Sequence, residues 1–269
     1  MVGVILAAGD GTRLAPLTDY RPKPLVPVLG RPLIEYTIRS FAQVGIRELV
    51  IVIGYRGEMI AQEIGYKRSY GLKVSYVPNS CYKGGNGTSI HAARPHLADE
   101  PFILAMADHM ITAPLLGKLL ETRDPVDTLC IDRSAQAPPQ LKDATKVWIN
   151  NLGLITRIGK DLKRWNAIDT GVFLFTPHIF PVVANLMREQ SGHCTVTDAV
   201  RRLIEQKGLR ACDVSGAFWM DVDTVADLRY VERLLRSPKS NRLASTSSGR
   251  FDLHGKKNGL RWINFKTLE

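Results

Sequence analysis

Short apolar runs alternate with amphipathic stretches, and this alternation most restricts the fold of the 269-residue chain. Runs typical of β-strands occur at 2–7, 48–53, 73–77 and 102–107, with segments of helical spacing between them. Strands joined by helices form a parallel sheet covered by helices. From 127 to 175 the apolar runs are shorter and no long helical pattern separates them. The sequence predicts an α/β fold with about five parallel strands and a small antiparallel excursion.

One helix illustrates how the boundaries are predicted. Pro32 suits a first helical turn, apolar residues repeat at helical spacing after it, and Gly45 follows as a cap. The predicted helices lie near 31–44, 58–64, 89–93, 113–120, 197–206 and 224–235. After Ser237 the periodicity ends and serines accumulate. We therefore expect one domain over 1–236 and a basic, Ser-rich tail or linker over 237–269.

Composition excludes several classes of protein. Hydrophobic residues make up 45% of the chain and charged residues 23%, which is typical of a globular protein. The sequence has no apolar run long enough for a membrane span and no basic segment before the apolar start, so we expect neither anchor nor signal peptide. Its four cysteines form no C-x-x-C pair, which favours a cytoplasmic protein with reduced thiols.

The net charge of +10 is unevenly distributed, because half of it lies in the tail. The remaining excess is modest, and no nucleic-acid recognition motif with interleaved aromatic residues accompanies it. We therefore expect no nucleic-acid partner.

A glycine-rich turn follows the first strand. It consists of Gly9-Asp10-Gly11-Thr12-Arg13, and Pro22-Lys23 comes shortly afterwards. Such a turn brings backbone N–H groups close to phosphates, and Arg13 and Lys23 add positive charge. The segment matches neither the P-loop nor the dinucleotide-binding fingerprint. The pattern predicts a binding site for a polyphosphate.

This segment closely resembles the signature of the sugar nucleotidyltransferases, G-x-G-T-R followed by P-K. Gly30-Arg31-Pro32-Leu33-Ile34 also resembles that family, and weaker similarity extends to about Leu235. The resemblance implies a Rossmann-like domain that joins a nucleoside triphosphate to a phosphorylated small molecule and releases pyrophosphate. Arg13 would then hold the leaving pyrophosphate and Lys23 would contact the phosphates at the reacting centre.

A second glycine-rich turn, at 84–89, corresponds to the loop that grips the base in that family. Asn86 offers both a donor and an acceptor, so cytosine or another pyrimidine is a suitable base. The expected nucleotide-binding residues are Leu6, Ala7, Gly9, Gly11, Thr12, Asn86, Gly87 and Ser89.

Two carboxylates are the expected ligands of Mg²⁺. Asp108 follows the apolar strand ending at Ala107, at the edge where α/β sheets bind ligands. Asp221 in Trp219-Met220-Asp221-Val222-Asp223-Thr224 resembles the family's second carboxylate. Asp223 is the alternative, either exchanging roles with Asp221 or capping the next helix.

The acceptor site is predicted by resemblance as well. Lys160 resembles the lysine that binds the acceptor's phosphate, and Asp169 would accept hydrogen bonds from acceptor hydroxyls. His109 stays open as a metal neighbour, an acceptor contact or a polar residue after a strand.

Three features together look most like the CTP:inositol-1-phosphate cytidylyltransferases: Asp108-His109, the G-N-G-x-S loop at 85–89 and W-x-D-V-D-T at 219–224. The expected reaction joins CTP to inositol 1-phosphate, giving CDP-inositol and pyrophosphate. Alternatives are a sugar 1-phosphate with UTP, dTTP or GTP, phosphocholine with CTP, and a non-catalytic regulatory subunit. A homo-oligomer stays open, as does fusion to a membrane-embedded transferase, for which the basic tail would be a natural linker.

Overall fold

The computed structural model describes residues 1–67, 70–122, 125–135, 141, 143–237, 250–251 and 257–258. Its centre is a nine-stranded mixed sheet in the order β5-β4-β1-β6-β11-β8-β12-β10-β9. These strands are β1 Val2–Ala7, β4 Glu48–Ile53, β5 Lys73–Pro78, β6 Phe102–Met106, β8 Thr128–Asp132, β9 Lys146–Ile149, β10 Leu154–Gly159, β11 Ala167–Phe175 and β12 Leu209–Asp213. The predicted mixed α/β fold is confirmed.

Four neighbouring strands, β5, β4, β1 and β6, run parallel, and β12 pairs in parallel with β8 on the other side of β11. The next strand, β11, is antiparallel to both β6 and β8, and it forms the predicted antiparallel excursion together with β9 and β10. β9 also pairs with the first residues of β11, which ties the far end of the sheet back to its middle.

Helices cover both faces of this sheet and contact two large apolar clusters. The α-helices are α1 Leu33–Gln43, α2 Gly57–Lys67, α3 Thr88–Ala93, α4 Ala113–Leu120, α5 Ile179–Glu189, α6 Val196–Gln206 and α7 Val225–Arg236. Capping boxes start α6 at Thr195 and α7 at Thr224. Every predicted helix is present, with boundaries that differ by at most three residues.

Helix α5 was not predicted from the sequence. Its buried residues Ile179, Phe180, Val182, Val183 and Leu186 follow helical spacing. Pro181 lies among them but in the first turn, where proline removes no intrahelical hydrogen bond. Pro32 differs from its predicted place too, because it ends the short strand β3 Arg31–Pro32 and precedes α1.

Two short ribbons bring distant parts of the chain together. β2 Pro27–Val28 pairs with β3, and β7 His109–Ile111 pairs with β13 Trp219–Asp221. A third apolar cluster joins these ribbons to the signature turn and to α7, through Leu14, Met110, Met220 and others. The ribbon β7-β13 therefore fixes the 219–224 segment beside the residues that follow β6.

Most of the predicted tail, 237–269, lies outside the described residues. Its described part includes β14 Arg250–Phe251 and β15 Lys257–Asn258, which pair with each other in a separate two-stranded sheet. Within the described part of the chain, no helix has the length and apolarity needed to cross a membrane.

Candidate active site

A cavity opens at the carboxyl ends of β1 and β6, where parallel α/β sheets bind ligands. Its walls come from the signature turn, the residues after β6, the second glycine-rich turn and the start of α7. The lining residues are Leu6, Ala7, Ala8, Gly9, Asp10, Gly11, Thr12, Arg13, Lys23, Pro24, Tyr82, Asn86, Ser89, Met106, Ala107, Asp108 and Asp223. Residues 200 positions apart in sequence thus meet around one space.

Lys23 lies at the centre of this site. Its Nζ is 2.7 Å from Asp108 Oδ2 and 2.6 Å from Asp223 Oδ1, and its side chain is only 10% exposed. Burial favours the neutral amine, but the two carboxylates more than offset it, so the pKa of Lys23 is raised and the ammonium is charged. A Cβ at Gly11, whose φ is +65°, would lie 2.4 Å from Lys23 Cβ. The glycine of the signature is therefore required for the lysine to pack there.

Arg13 extends the positive charge toward solvent. One terminal nitrogen is 2.9 Å from Asp223 Oδ1 and the other is 3.6 Å from Asp143 Oδ2, with about half of the side chain exposed. Its guanidinium is therefore accessible to an incoming phosphate. Asp143 was not predicted, because nothing in its local sequence marks it as part of a distant site.

Asp108 contacts two cationic groups. His109 Nδ1 is 2.7 Å from Asp108 Oδ1, and Lys23 bonds to the other carboxylate oxygen. Burial disfavours the carboxylate, but Lys23 and His109 reverse this and hold the pKa of Asp108 well below its usual range. Burial also opposes protonation of His109, whereas Asp108, Asp221 and Asp169 favour it and raise its pKa to about 9. Asp108 is therefore an anion at neutral pH.

The carboxylates of Asp221 and Asp223 occupy different places. Asp223 lines the cavity and bonds to Lys23 and Arg13, whereas Asp221 lies opposite His109 in the β7-β13 ribbon and does not line the cavity. Asp221 Oδ1 is buried without a hydrogen-bond partner, and burial raises the pKa of this carboxyl. The helix cap is Thr224, so the alternative assignment of Asp223 as that cap is wrong.

The second glycine-rich turn packs against the segment before α6. Asn86 Oδ1 accepts the Val196 N–H at 2.9 Å, and the Gly87 N–H donates to Cys194 O at 2.9 Å. Asn86 and Ser89 line the cavity, whereas Gly87 does not. The Val196 N–H uses one of the two lone pairs of the Asn86 oxygen, so the amide keeps both a donor and an acceptor, and its contact with the base stays a prediction.

The two predicted acceptor residues lie outside the cavity lining. Lys160 is exposed directly after β10. Asp169 Oδ1 accepts the Gly171 N–H at 2.7 Å, and burial, partly offset by this bond and by His109, raises the pKa of Asp169 to about 6. His109 lies between this part of β11 and Asp108, since a Cβ at Gly171 would be 2.7 Å from its ring.

The carboxylates around Lys23 are the oxygen donors that a divalent metal would need. Among the described residues, no group of three or more His, Cys, Asp or Glu side chains forms a metal-binding cluster. Mg²⁺ is commonly held by one or two carboxylates together with substrate phosphates. Asp108 and Asp223, which converge on one ammonium, and the unpartnered oxygen of Asp221 fit an ion that binds together with a triphosphate.

Fold and cavity together define a class of α/β protein with a charged ligand-binding cavity at the carboxyl edge of its sheet. Within this class, a family model described as nucleotidyl transferase matches residues 2–141. The chain belongs to the nucleotidyl transferase family.

The names of the individual relatives describe different activities. The chain is 38% identical over 235 residues to the bifunctional IPC transferase and DIPP synthase of Rubrobacter xylanophilus, covering 86% of this chain and 51% of the relative. It is 30% identical over 263 residues to the glucose-1-phosphate thymidylyltransferase of Streptomyces griseus, covering 95% and 72%. The chain thus spans about half the length of the first of these relatives.

Among solved structures, the inositol-1-phosphate CTP transferase from T. maritima matches with a TM-score of 0.74 at 24% identity, covering 88% of this chain and 96% of that structure. At this identity the similarity concerns the fold. The match covers more of the chain than residues 2–141, to which the family model extends.

Proposed function

We propose that this chain is a Mg²⁺-dependent cytidylyltransferase that joins CTP to inositol 1-phosphate, giving CDP-inositol and pyrophosphate. The observation that carries the proposal is the convergence of Lys23 and Arg13 with Asp108 and Asp223 in one cavity. The IPC transferase and DIPP synthase relatives, 31–38% identical to this chain, and the T. maritima structure support the choice of substrates.

The reaction needs charge neutralisation more than proton transfer. A phosphate monoester has a second pKa near 6 and is mostly a dianion at pH 7, so its oxygen attacks without a general base. The new bond joins this oxygen to the α-phosphorus of CTP, and the bond from that phosphorus to the α–β bridging oxygen breaks. Both electrons of the broken bond leave with pyrophosphate.

Two residues of the signature provide the positive charge. Lys23 is held charged at the cavity floor by Asp108 and Asp223, where it would contact the reacting phosphoryl group. Arg13 is more exposed and would stabilise the departing pyrophosphate. Asp108 and Asp223, with Asp221 nearby, would hold Mg²⁺, which supplies further positive charge to the triphosphate.

The acceptor would lie toward β10 and β11. Lys160 would bind its phosphate and Asp169 its hydroxyls, with His109 between Asp169 and the reacting centre. We also propose a cytoplasmic location.

Pyrophosphate release tests the proposal directly. The purified chain is incubated with Mg²⁺ and each pairing of CTP, UTP, dTTP or GTP with inositol 1-phosphate, glucose 1-phosphate or phosphocholine. CTP with inositol 1-phosphate should give the highest kcat/KM. Turnover of glucose 1-phosphate with dTTP, and none with the proposed pair, would instead support the activity named for the S. griseus relative. Absence of turnover in every pairing would support a regulatory subunit.

A further inference from the structure

We infer that Cys130 and Cys212 form a redox site, in which a hydroperoxide oxidises the pair to a disulfide that joins strands β8 and β12. The two thiols lie beyond β11 from the signature strand β1, and neither lines the cavity. This site goes beyond the proposed nucleotidyl transfer, which uses no thiol.

The register of the sheet places the two cysteines side by side. β8 and β12 run parallel, and Cys212 is the direct partner of Cys130. Neighbouring strands lie about 4.8 Å apart, and Cα separations of roughly 4.4–6.8 Å suit a disulfide. The backbone therefore already has the spacing that a bond between these two free cysteines requires.

Both side chains lie on the same face of the sheet. Cys130 is fully buried in the apolar cluster that α1 and α4 cover, and Cys212 packs against that cluster while staying partly exposed. The preceding residues Leu129 and Ala211 contact the cluster on the opposite face, as the alternation of side chains along a strand requires. Cys212 is thus open to a small oxidant, whereas Cys130 is shielded from solvent.

The surroundings make the partly exposed thiol the more acidic of the two. Interaction with the Cys130 thiol lowers the pKa of Cys212, and Lys118 adds to this effect, whereas burial and two nearby carboxylates oppose it. Burial, together with Cys212 and Asp169, holds the pKa of Cys130 well above its usual range. The thiolate is the nucleophile in such reactions, so Cys212 reacts first and Cys130 waits as a thiol.

The reaction balances with one hydroperoxide and two thiols. The Cys212 thiolate attacks one oxygen, so an S–O bond forms, the O–O bond breaks, and the other oxygen leaves as water or alcohol with the proton that Cys212 released. The Cys130 sulfur then attacks the sulfur of this sulfenic acid. The S–S bond forms, the S–O bond breaks, and the oxygen leaves as water with the Cys130 proton. The two sulfurs lose two electrons, and the hydroperoxide gains them.

Cys130 lies opposite the part of β11 that precedes the acceptor side of the site. The pairing of β11 with β8 shifts register between Asp169 and Phe173, and within this stretch Thr170 Oγ1 donates to Cys130 O at 2.9 Å. A bond that ties Cys130 to β12 therefore acts on the backbone beside Asp169. Oxidation should raise the KM for the acceptor by about 5-fold or more, with little change in the KM for CTP. This consequence rests on the proposed function, whereas disulfide formation does not.

Mass spectrometry after a controlled oxidation tests the site. The full chain is treated with hydrogen peroxide, and the remaining thiols are alkylated under denaturing conditions before proteolysis. The wild type should lose two of its four thiols and give a disulfide-linked pair of peptides that contain Cys130 and Cys212. Dithiothreitol should restore all four thiols.

Two variants separate the roles of the cysteines. Cys130→Ala removes the second thiol, so Cys212 should stop at the sulfenic acid, which dimedone traps. Cys212→Ser should leave Cys130 reduced, because the oxidant does not reach a fully buried thiol. Cys81→Ser is the matched control, since Cys81 is exposed and lies outside the strands, and its loss should leave the disulfide unchanged.

Retention of all four thiols in the wild type, or a disulfide that involves Cys81 or Cys194, would overturn the inference. So would oxidation of Cys81 while Cys130 and Cys212 remain thiols. An unchanged acceptor KM in the fully oxidised chain would exclude the effect on β11. Absence of turnover in both the oxidised and the reduced chain would contradict the proposed function and leave the redox site standing, because the disulfide is detected without any substrate.

Discussion

Lys23 compensates two carboxylates at once, so its loss should affect both chemistry and stability. Lys23→Ala removes the charge proposed to contact the reacting phosphoryl group, and kcat should fall by about 10²-fold or more. It also leaves Asp108 and Asp223 uncompensated in a largely buried position, which should lower the free energy of unfolding by about 3 kcal/mol. Steady-state kinetics and urea unfolding measure the two effects.

Lys160→Ala is the control for Lys23, since it removes an exposed lysine of the same charge. It should raise the KM for the acceptor with little change in stability. A Lys23→Ala protein with normal kcat would exclude this lysine from the reacting centre.

The roles of the Asp221 and Asp223 carboxylates can be distinguished by substitution. Asp223 shares the Lys23 ammonium with Asp108, whereas Asp221 has a buried oxygen without a partner. Asp108→Asn, Asp221→Asn and Asp223→Asn each keep the side-chain shape and remove the charge that a hard cation needs. Mg²⁺ titrations of activity should show weaker metal dependence for Asp108→Asn and for at least one of the other two. If neither Asp221→Asn nor Asp223→Asn changed it, a site with two carboxylates would be wrong.

Asp169 should make stability depend on pH between about 4 and 6. Its folded pKa of about 6 lies above the ordinary aspartate value of 3.8, because burial favours the neutral acid. The folded state therefore binds this proton more tightly, and the resulting stabilisation is present below pH 4 and lost as pH rises through 6. The loss amounts to at most about 3 kcal/mol.

Asp169→Asn removes this titration and retains an oxygen for the Gly171 N–H. Its Tm should exceed that of the wild type at pH 7 and match it more closely at pH 4. Thermal unfolding at several pH values checks this. If the Tm of the wild type does not fall relative to that of Asp169→Asn between pH 4 and pH 7, the assigned pKa of Asp169 is contradicted.

At the scale of elements, the bulge in β11 fits around the His109 ring. The pairing of β11 with β8 shifts register between Asp169 and Phe173, and Gly171 within the shift has a φ of +73°. Gly171→Ala would add both backbone strain and a Cβ 2.7 Å from the imidazole. We expect a loss of about 2 kcal/mol or more in unfolding free energy and a higher KM for the acceptor.

Gly153→Ala separates the effect of backbone strain from the effect of steric overlap with a neighbouring side chain. Gly153 has a similar φ of +75°, but a Cβ there meets nothing within 4 Å. Its substitution should cost about 1 kcal/mol from the backbone alone. Urea unfolding measures the loss of unfolding free energy in each variant. Equal losses for Gly171→Ala and Gly153→Ala would mean that His109 moves away from the added methyl group.

Elements with regular periodicity were predictable, and those defined by long-range pairing were not. The helix at 113–120 and the strand at 2–7 have the predicted bounds, because their own residues carry the pattern. β7 and β13 have three residues each and exist only because they pair across 110 positions. That ribbon decides which of Asp221 and Asp223 faces the cavity, so local sequence left the choice open.

The signature was sufficient to predict where the site lies, because its interacting residues are close together in the sequence. Gly11 and Lys23 are twelve residues apart and touch directly. Asp143 and Val196 contact Arg13 and Asn86 from distant segments, and no local pattern marks them. The hydrogen bond from Val196 to Asn86 depends on the tertiary fold, so the local sequence could not predict it.

The tail provides a prediction about the whole chain. The nine-stranded sheet and the three apolar clusters are built from residues up to Leu235, and β14 and β15 pair with each other in a separate sheet. Deleting 240–269 should therefore leave kcat/KM and Tm almost unchanged, while lowering the net charge of the chain from +10 to +6. Thermal unfolding and pyrophosphate release, compared between the full chain and residues 1–239, measure this. A Tm lower by more than about 4 °C, which corresponds to about 1 kcal/mol or more in a domain of this size, would show that the tail packs against the domain.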